Sequence, residues 1–170
     1  TDLQKIQTSG KYLLELVNNV LDLSKIEAGK MELSLETFSV IGLIEDIRNA
    51  IQPLIAKKNN TLTINTSADL GEMYADQMRV RQVLLNLLSN AVKFTNAGTV
   101  TFRIEPVGDP PEPGAAQRIR FQIEDTGIGI APEKLSTIFL PFEQAGKRDR
   151  NSEGTGLGLA ISQQVVEKMG

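Results

Sequence analysis

Apolar residues recur along this chain with two periods, and the switches between them mark out its elements. Over residues 1–28, Ile6, Leu13 and Val20 repeat every seven positions, as do Leu16 and Leu23, with Val17, Leu21 and Ile26 widening the stripe. That is a helix built to pack on other helices, in a bundle or coiled coil, with a helix lying on its own domain's core as the alternative. Gly29 supplies a C′ stop, and the helix opens without a clear cap. MELSLE (31–36) alternates apolar and polar, which predicts a half-buried strand. Ser39 is placed to cap a helix carrying Val40, Leu43, Ile44, Ile47, Ile51, Leu54 and Ile55 at helical spacing, with Pro53 expected to kink it or locally break its hydrogen bonding. After Asn59 and Asn60, TLTIN (61–65) reads as a strand and Met73-Tyr74 as a short extended piece. Asp76 is a good N-cap for the helix that runs through LLNLLSNAVKFT (84–95). Asn96-Ala97-Gly98 turns into a strand over 99–105, and RIRFQIED (118–125) alternates as its hairpin partner, beyond an exposed connection at 106–117. Pro132 can open a short helix through Ile138. Residues 146–153 are polar and charged, and a last helix after Gly158 presents Leu159, Ile161, Val165 and Val166.

Composition narrows the chemistry. The 170 residues suffice for one domain with a real core. A net charge of −3 argues against a nucleic-acid binder driven by phosphate attraction, and no apolar run approaches a membrane span. There is no cysteine, histidine or tryptophan. Disulfides, thiolate nucleophiles, Ser-His-Asp triads, phosphohistidine and Cys- or His-built metal sites are thereby excluded from these residues.

Within residues 84–95, Asn86, Asn90 and Lys93 are spaced by four and three, so a helix puts them on one face. Two amide oxygens and an ammonium suit a metal-bound polyphosphate, since Mg²⁺ prefers hard oxygen ligands. They equally suit a solvated helix surface, with Lys93 answering the negative end of the dipole. Gly127 and Gly129 make a turn out of a strand that ends at Asp125, whose carboxylate can accept from a base amine or serve its own turn. Gly154, Gly156 and Gly158 precede a helix, where backbone N–H groups favour an anion, though neither P-loop nor dinucleotide spacing is present. Lys147, Arg148 and Arg150 can reach a polyphosphate or simply be solvated.

In this order, NLLSNAVKFT, DTGIGI, FLPFEQ and GTGLGLAI resemble the N, G1, F and G2 boxes of the ATP-binding catalytic domain of sensor histidine kinases. The resemblance covers residues 36–170. LLELVNNVLDLSKIEAGKMEL (13–33) looks like the second helix of that family's dimerisation and phosphoacceptor hairpin, followed by its linker. The implied fold class is α+β, the Bergerat two-layer sandwich: a mixed sheet with helices on one face, preceded by an N-terminal helix. The implied division is a partial hairpin at 1–28 and a catalytic domain at 29–170, with an ATP lid at 143–155 and the family's last strands missing. By resemblance Asn90 coordinates Mg²⁺, Asn86 and Lys93 bind metal-linked phosphates, and Asp125 reads the adenine amine. Gly127, Gly129 and Ile130 lie beside the base. Phe139 and Phe142 anchor the lid, Lys147 and Arg148 reach phosphate from it, and Gly154, Thr155, Gly156, Leu157 and Gly158 hold the phosphates.

The implied activity is transfer of the ATP γ-phosphoryl group to a histidine outside this chain, because the family's acceptor histidine is absent here. The implied partners are ATP, the acceptor helix of the full-length protein, a second copy through the first helix and a response-regulator receiver. The implied setting is cytoplasmic, without nucleic-acid or membrane contact by this segment. An ATPase of the gyrase and chaperone branch is a second reading. That branch carries a glutamate where Asn86 stands, and a neutral amide is no general base. A nucleotide-gated interaction module is a third.

Overall fold

The computed structural model describes residues 1–67, 70–108, 118–143 and 154–170. Its elements are α1 (Asp2–Glu27), β1 (Glu36–Ser39), α2 (Val40–Lys57), β2 (Thr61–Thr66), β3 (Glu72–Ala75), α3 (Gln77–Phe94), β4 (Thr99–Val107), β5 (Arg118–Asp125), a 3₁₀ turn (Pro132–Lys134) and α4 (Gly158–Met169). The chain divides into two units, Ser34–Gly129, and Thr1–Leu33 together with Ile130–Gly170. The expected connection is described only as far as Gly108. Over 144–153 the expected lid, with Lys147, Arg148 and Arg150, lies outside the described residues.

The first unit is an α+β sandwich. β2 and β4 pair in parallel and β4 and β5 antiparallel, giving a mixed sheet in the order β2-β4-β5. Alternation sorts its faces. Val100, Phe102 and Ile104 are fully buried, flanked by half-buried Leu62, Ile64, Ile119, Phe121 and Ile123. The opposite face carries the cross-strand pairs Arg103–Glu124 at 3.3 Å and Arg120–Glu105 at 3.2 Å. Both are exposed, so each contributes little. α2 and α3 pack together against the apolar face. α2 buries Val40, Leu43, Ile44, Ile47, Ile51 and Ile55, whereas Leu54 is exposed.

The caps predicted for α2 and α3 form, while α1, read as opening without a clear cap, has Thr1 N donating to Gln4 Oε1 at 3.2 Å in a capping-box arrangement. Ser39 Oγ accepts from Gly42 N at 3.2 Å, and Asp76 Oδ1 accepts from Arg79 N at 3.0 Å. Asp76 Oδ2 also takes Ser34 N at 3.0 Å, which ties the chain before β1 to the start of α3. α2 runs through Pro53 as one helix, although proline has no N–H to donate there. The strand expected at 31–36 forms later: β1 pairs with four-residue β3 from Glu36↔Ala75 to Ser39↔Glu72. Met31 is buried without entering a ladder. β4 runs on into Pro106 and Val107, beyond the expected 99–105. The β2 ladder stops at Ile104, so Pro106 has a strand on one side only, where a missing donor is tolerated.

In the second unit α1 packs with α4. Leu23 is buried, and Leu16, Asn19 and Ile26 are half-buried on the same side. Ile6, Leu13, Val17 and Val20 are exposed. At 100° per residue these are two seams roughly 120° apart, where the sequence suggests one wide stripe. α4 buries Ala160, Ile161, Ser162 and Val165, and Val166 is exposed rather than inward. The helix expected from Pro132 to Ile138 shrinks to the 3₁₀ turn and further turns. Pro141 follows too closely, since it disfavours helical geometry at Leu140 and leaves too few residues for a stable helix.

Candidate functional site

On α3 the buried residues Val80, Val83, Leu84, Leu88, Ala91 and Val92 occupy one side. Asn86, Asn90 and Lys93 are half-buried and fall within about 60° of one another on the other side. Leu87 is half-buried beside them rather than fully inward. Lys93 Nζ lies 5.2 Å from the centre of the Phe94 ring, which holds the ammonium beside the end of the helix.

The turn after β5 is built against that same helix end. Gly127 N donates to Asp125 Oδ1 at 2.9 Å, and Thr95 Oγ1 donates to the same oxygen at 3.5 Å. Among the described residues Oδ1 takes both donors and Oδ2 takes none. Asp125 therefore serves its own turn with one oxygen while keeping an exposed oxygen for another donor. Gly127 has no alternative. A Cβ there would collide with Phe94 O and lie 2.8 Å from both Asp125 Oδ1 and Thr95 Oγ1. Ile128 N donates to Phe94 O at 3.2 Å and completes the seam.

Sequence reasoning missed Asn60, which holds this seam from behind. It is buried; its Nδ2 donates to Val92 O at 3.3 Å and Thr95 O at 2.9 Å, and its Oδ1 accepts from Gly98 N at 3.0 Å. One amide thus satisfies the last carbonyls of α3 and the turn into β4. In the sequence Asn60 reads only as a helix-ending asparagine. Its partners lie more than thirty residues away.

In the other unit, the glycine segment before α4 is fixed at both ends. Phe142 N donates to Gly156 O at 2.8 Å, and a Cβ on Gly156, where φ is +71°, would lie 2.9 Å from the Phe142 backbone. Thr155 Oγ1 accepts from Leu157 N at 3.2 Å, which fixes the turn just before α4. Leu157 is fully buried, Thr155 and Gly158 are half-buried, and Ile130, Phe139 and Phe142 are exposed.

The model of the histidine kinase-, DNA gyrase B- and HSP90-like ATPase family matches residues 75–170. The chain belongs to that family. Its relatives place it among the sensor histidine kinases, as their ATP-binding catalytic domain. The chain is 40% identical over 167 residues to hybrid signal transduction histidine kinase B of Dictyostelium discoideum, covering 97% of this chain and 8% of that protein. It is 41% identical over 172 residues to the circadian input-output histidine kinase CikA of Synechococcus elongatus, covering 99% of this chain and 22% of that protein. This histidine kinase segment thus spans less than a quarter of either relative's length. Among solved structures, full-length ShkA in complex with AMPPNP superposes with a TM-score of 0.79 at 36% identity, covering 98% of this chain and 33% of that one. The expected α+β fold, a mixed sheet with helices and an N-terminal helix, agrees with these kinase structures. Among the described residues, no helix of this kinase domain is long and apolar enough to cross a membrane.

Proposed function

We propose that the chain binds ATP and transfers its γ-phosphoryl group to a histidine outside these residues. The observation that carries the nucleotide assignment is the Asp125 turn: one carboxylate oxygen locked by Gly127 N–H, the other exposed. That second oxygen accepts from the exocyclic amine of adenine, and Gly127 and Gly129 keep the turn clear of side chains beside the base. Asn86, Asn90 and Lys93 are assigned to binding the phosphates; the backbone N–H groups of 154–158 are assigned the same role on their own chemistry. The ShkA structure, solved with AMPPNP, supports a nucleotide for this fold.

Among the described residues no cluster of three Asp, Glu, His or Cys side chains can hold a metal by itself. The donor set fits Mg²⁺ through the Asn90 amide oxygen, with water and phosphate oxygens completing the shell. The ion supplies neutralisation of phosphate charge. Asn86 offers an amide rather than a carboxylate and cannot take a proton from water, which disfavours hydrolysis. The nucleophile is then an imported imidazole nitrogen. It forms the new N–P bond as the bond to the β,γ-bridging oxygen breaks and ADP departs.

The exposed seam of α1, with Ile6, Leu13, Val17 and Val20, suits a second copy of this helix in the full-length protein. A response-regulator receiver on the cytoplasmic side is the downstream acceptor, as the hybrid and regulatory names of the relatives suggest. The deciding experiment supplies labelled ATP and a separate histidine-bearing helical hairpin. The label is expected on the hairpin as an acid-labile phosphohistidine. Tight ATP binding without transfer would favour a nucleotide-gated interaction module, and free phosphate released without a hairpin would favour an ATPase.

A further inference from the structure

Two polar side chains of α1 reach the glycine segment before α4. Tyr12 Oη donates to Gly154 O at 3.4 Å, and Asn19 Nδ2 donates to Thr155 Oγ1 at 3.3 Å. Tyr12 and Asn19 are seven residues apart, so they lie on one side of the helix, in line with buried Leu23. Gly154 and Gly156 have φ of +148° and +71°, values that side-chain-bearing residues avoid. A segment with such glycines has much conformational freedom to lose when it closes around an anion. The contacts from α1 remove part of that freedom beforehand. They use a carbonyl and a hydroxyl oxygen, which accept, rather than the backbone N–H groups a phosphate needs. The hydroxyl that Asn19 holds also accepts from Leu157 N in the turn just before α4.

We infer that Tyr12 and Asn19 are positioning residues that preorganise the phosphate-binding segment, so that nucleotide affinity depends on where α1 sits. This rests on the ATP reading above. Turning α1 by one residue position, about 100°, would withdraw both donors together.

The test is titration of the chain with a non-hydrolysable ATP analogue and Mg²⁺. Tyr12→Phe and Asn19→Ala should each weaken binding by about threefold to tenfold, the worth of one hydrogen bond. Lys11→Ala, an exposed change elsewhere on α1, should leave it unchanged. In a double-mutant cycle, Asn19→Ala should add nothing on a Thr155→Ala background. No binding by the unsubstituted chain would overturn the ATP reading itself. Binding by that chain with affinities within twofold in both α1 variants would overturn the positioning role alone. Additive losses in the cycle would overturn it too, since the effect would not pass through Thr155.

Discussion

At the scale of single residues, most of the site rests on carbonyls and amides that are already committed to one another. Asp125→Asn keeps the size of the side chain but puts an amide where the carboxylate is proposed to meet the adenine amine. ATP affinity should fall by about tenfold or more with the unfolding midpoint little changed, as calorimetric titration and thermal melting would show. Unchanged affinity would remove Asp125 from base recognition. Asn60→Asp replaces the Nδ2 donor, so Thr95 O loses its partner and Val92 O keeps only the long bond from Thr95 N at 3.4 Å. A loss of about 1–3 kcal/mol in stability is expected on denaturant unfolding. If Asn60 also positions the Asp125 turn, the ratio of ATP to GTP affinity should narrow in this variant. A purely structural defect would lower both alike.

The elements show how far sequence reading carries. α3 was legible because its period, its Asp76 cap and its polar trio all agree, and the structure finds them on one helix with the trio opposite the core. β5 and the turn after it were legible for the same reason. β1 was not, because alternation at 31–36 records burial of Met31 but cannot say which residues find a ladder partner. The single stripe read on α1 conceals two seams, because a heptad pattern does not say how many neighbours a helix has. Asn60 was illegible in principle, since its meaning lies in backbone groups brought from α3 and the turn before β4. For α3 itself, Asn90→Ala should leave triphosphate binding nearly insensitive to Mg²⁺, compared by titration with the ion and with chelator. Retained dependence would place the metal elsewhere.

For the molecule as a whole, the sheet core and the α1 seam respond to different tests. Phe102→Ala opens a cavity at a fully buried position stacked 6.3 Å from Phe121, and should cost about 3–5 kcal/mol on chemical unfolding. Leu13→Glu puts a charge on the exposed α1 seam and should leave stability nearly unchanged. In sedimentation it should lower the average mass toward that of a single chain. No change in mass would leave the seam to some other partner. The sheet topology also has a consequence for assembly. β4 and β5 are neighbours in sequence and can zip as a hairpin, while the parallel β2–β4 ladder closes only across a crossover that contains α3. Local pairing precedes pairing that must first close a long loop. The polar trio on α3 is therefore set in place with the final ladder, and a nucleotide signal during refolding should lag behind hairpin formation. For a newly made chain, competence to hold ATP is then a report that folding has finished.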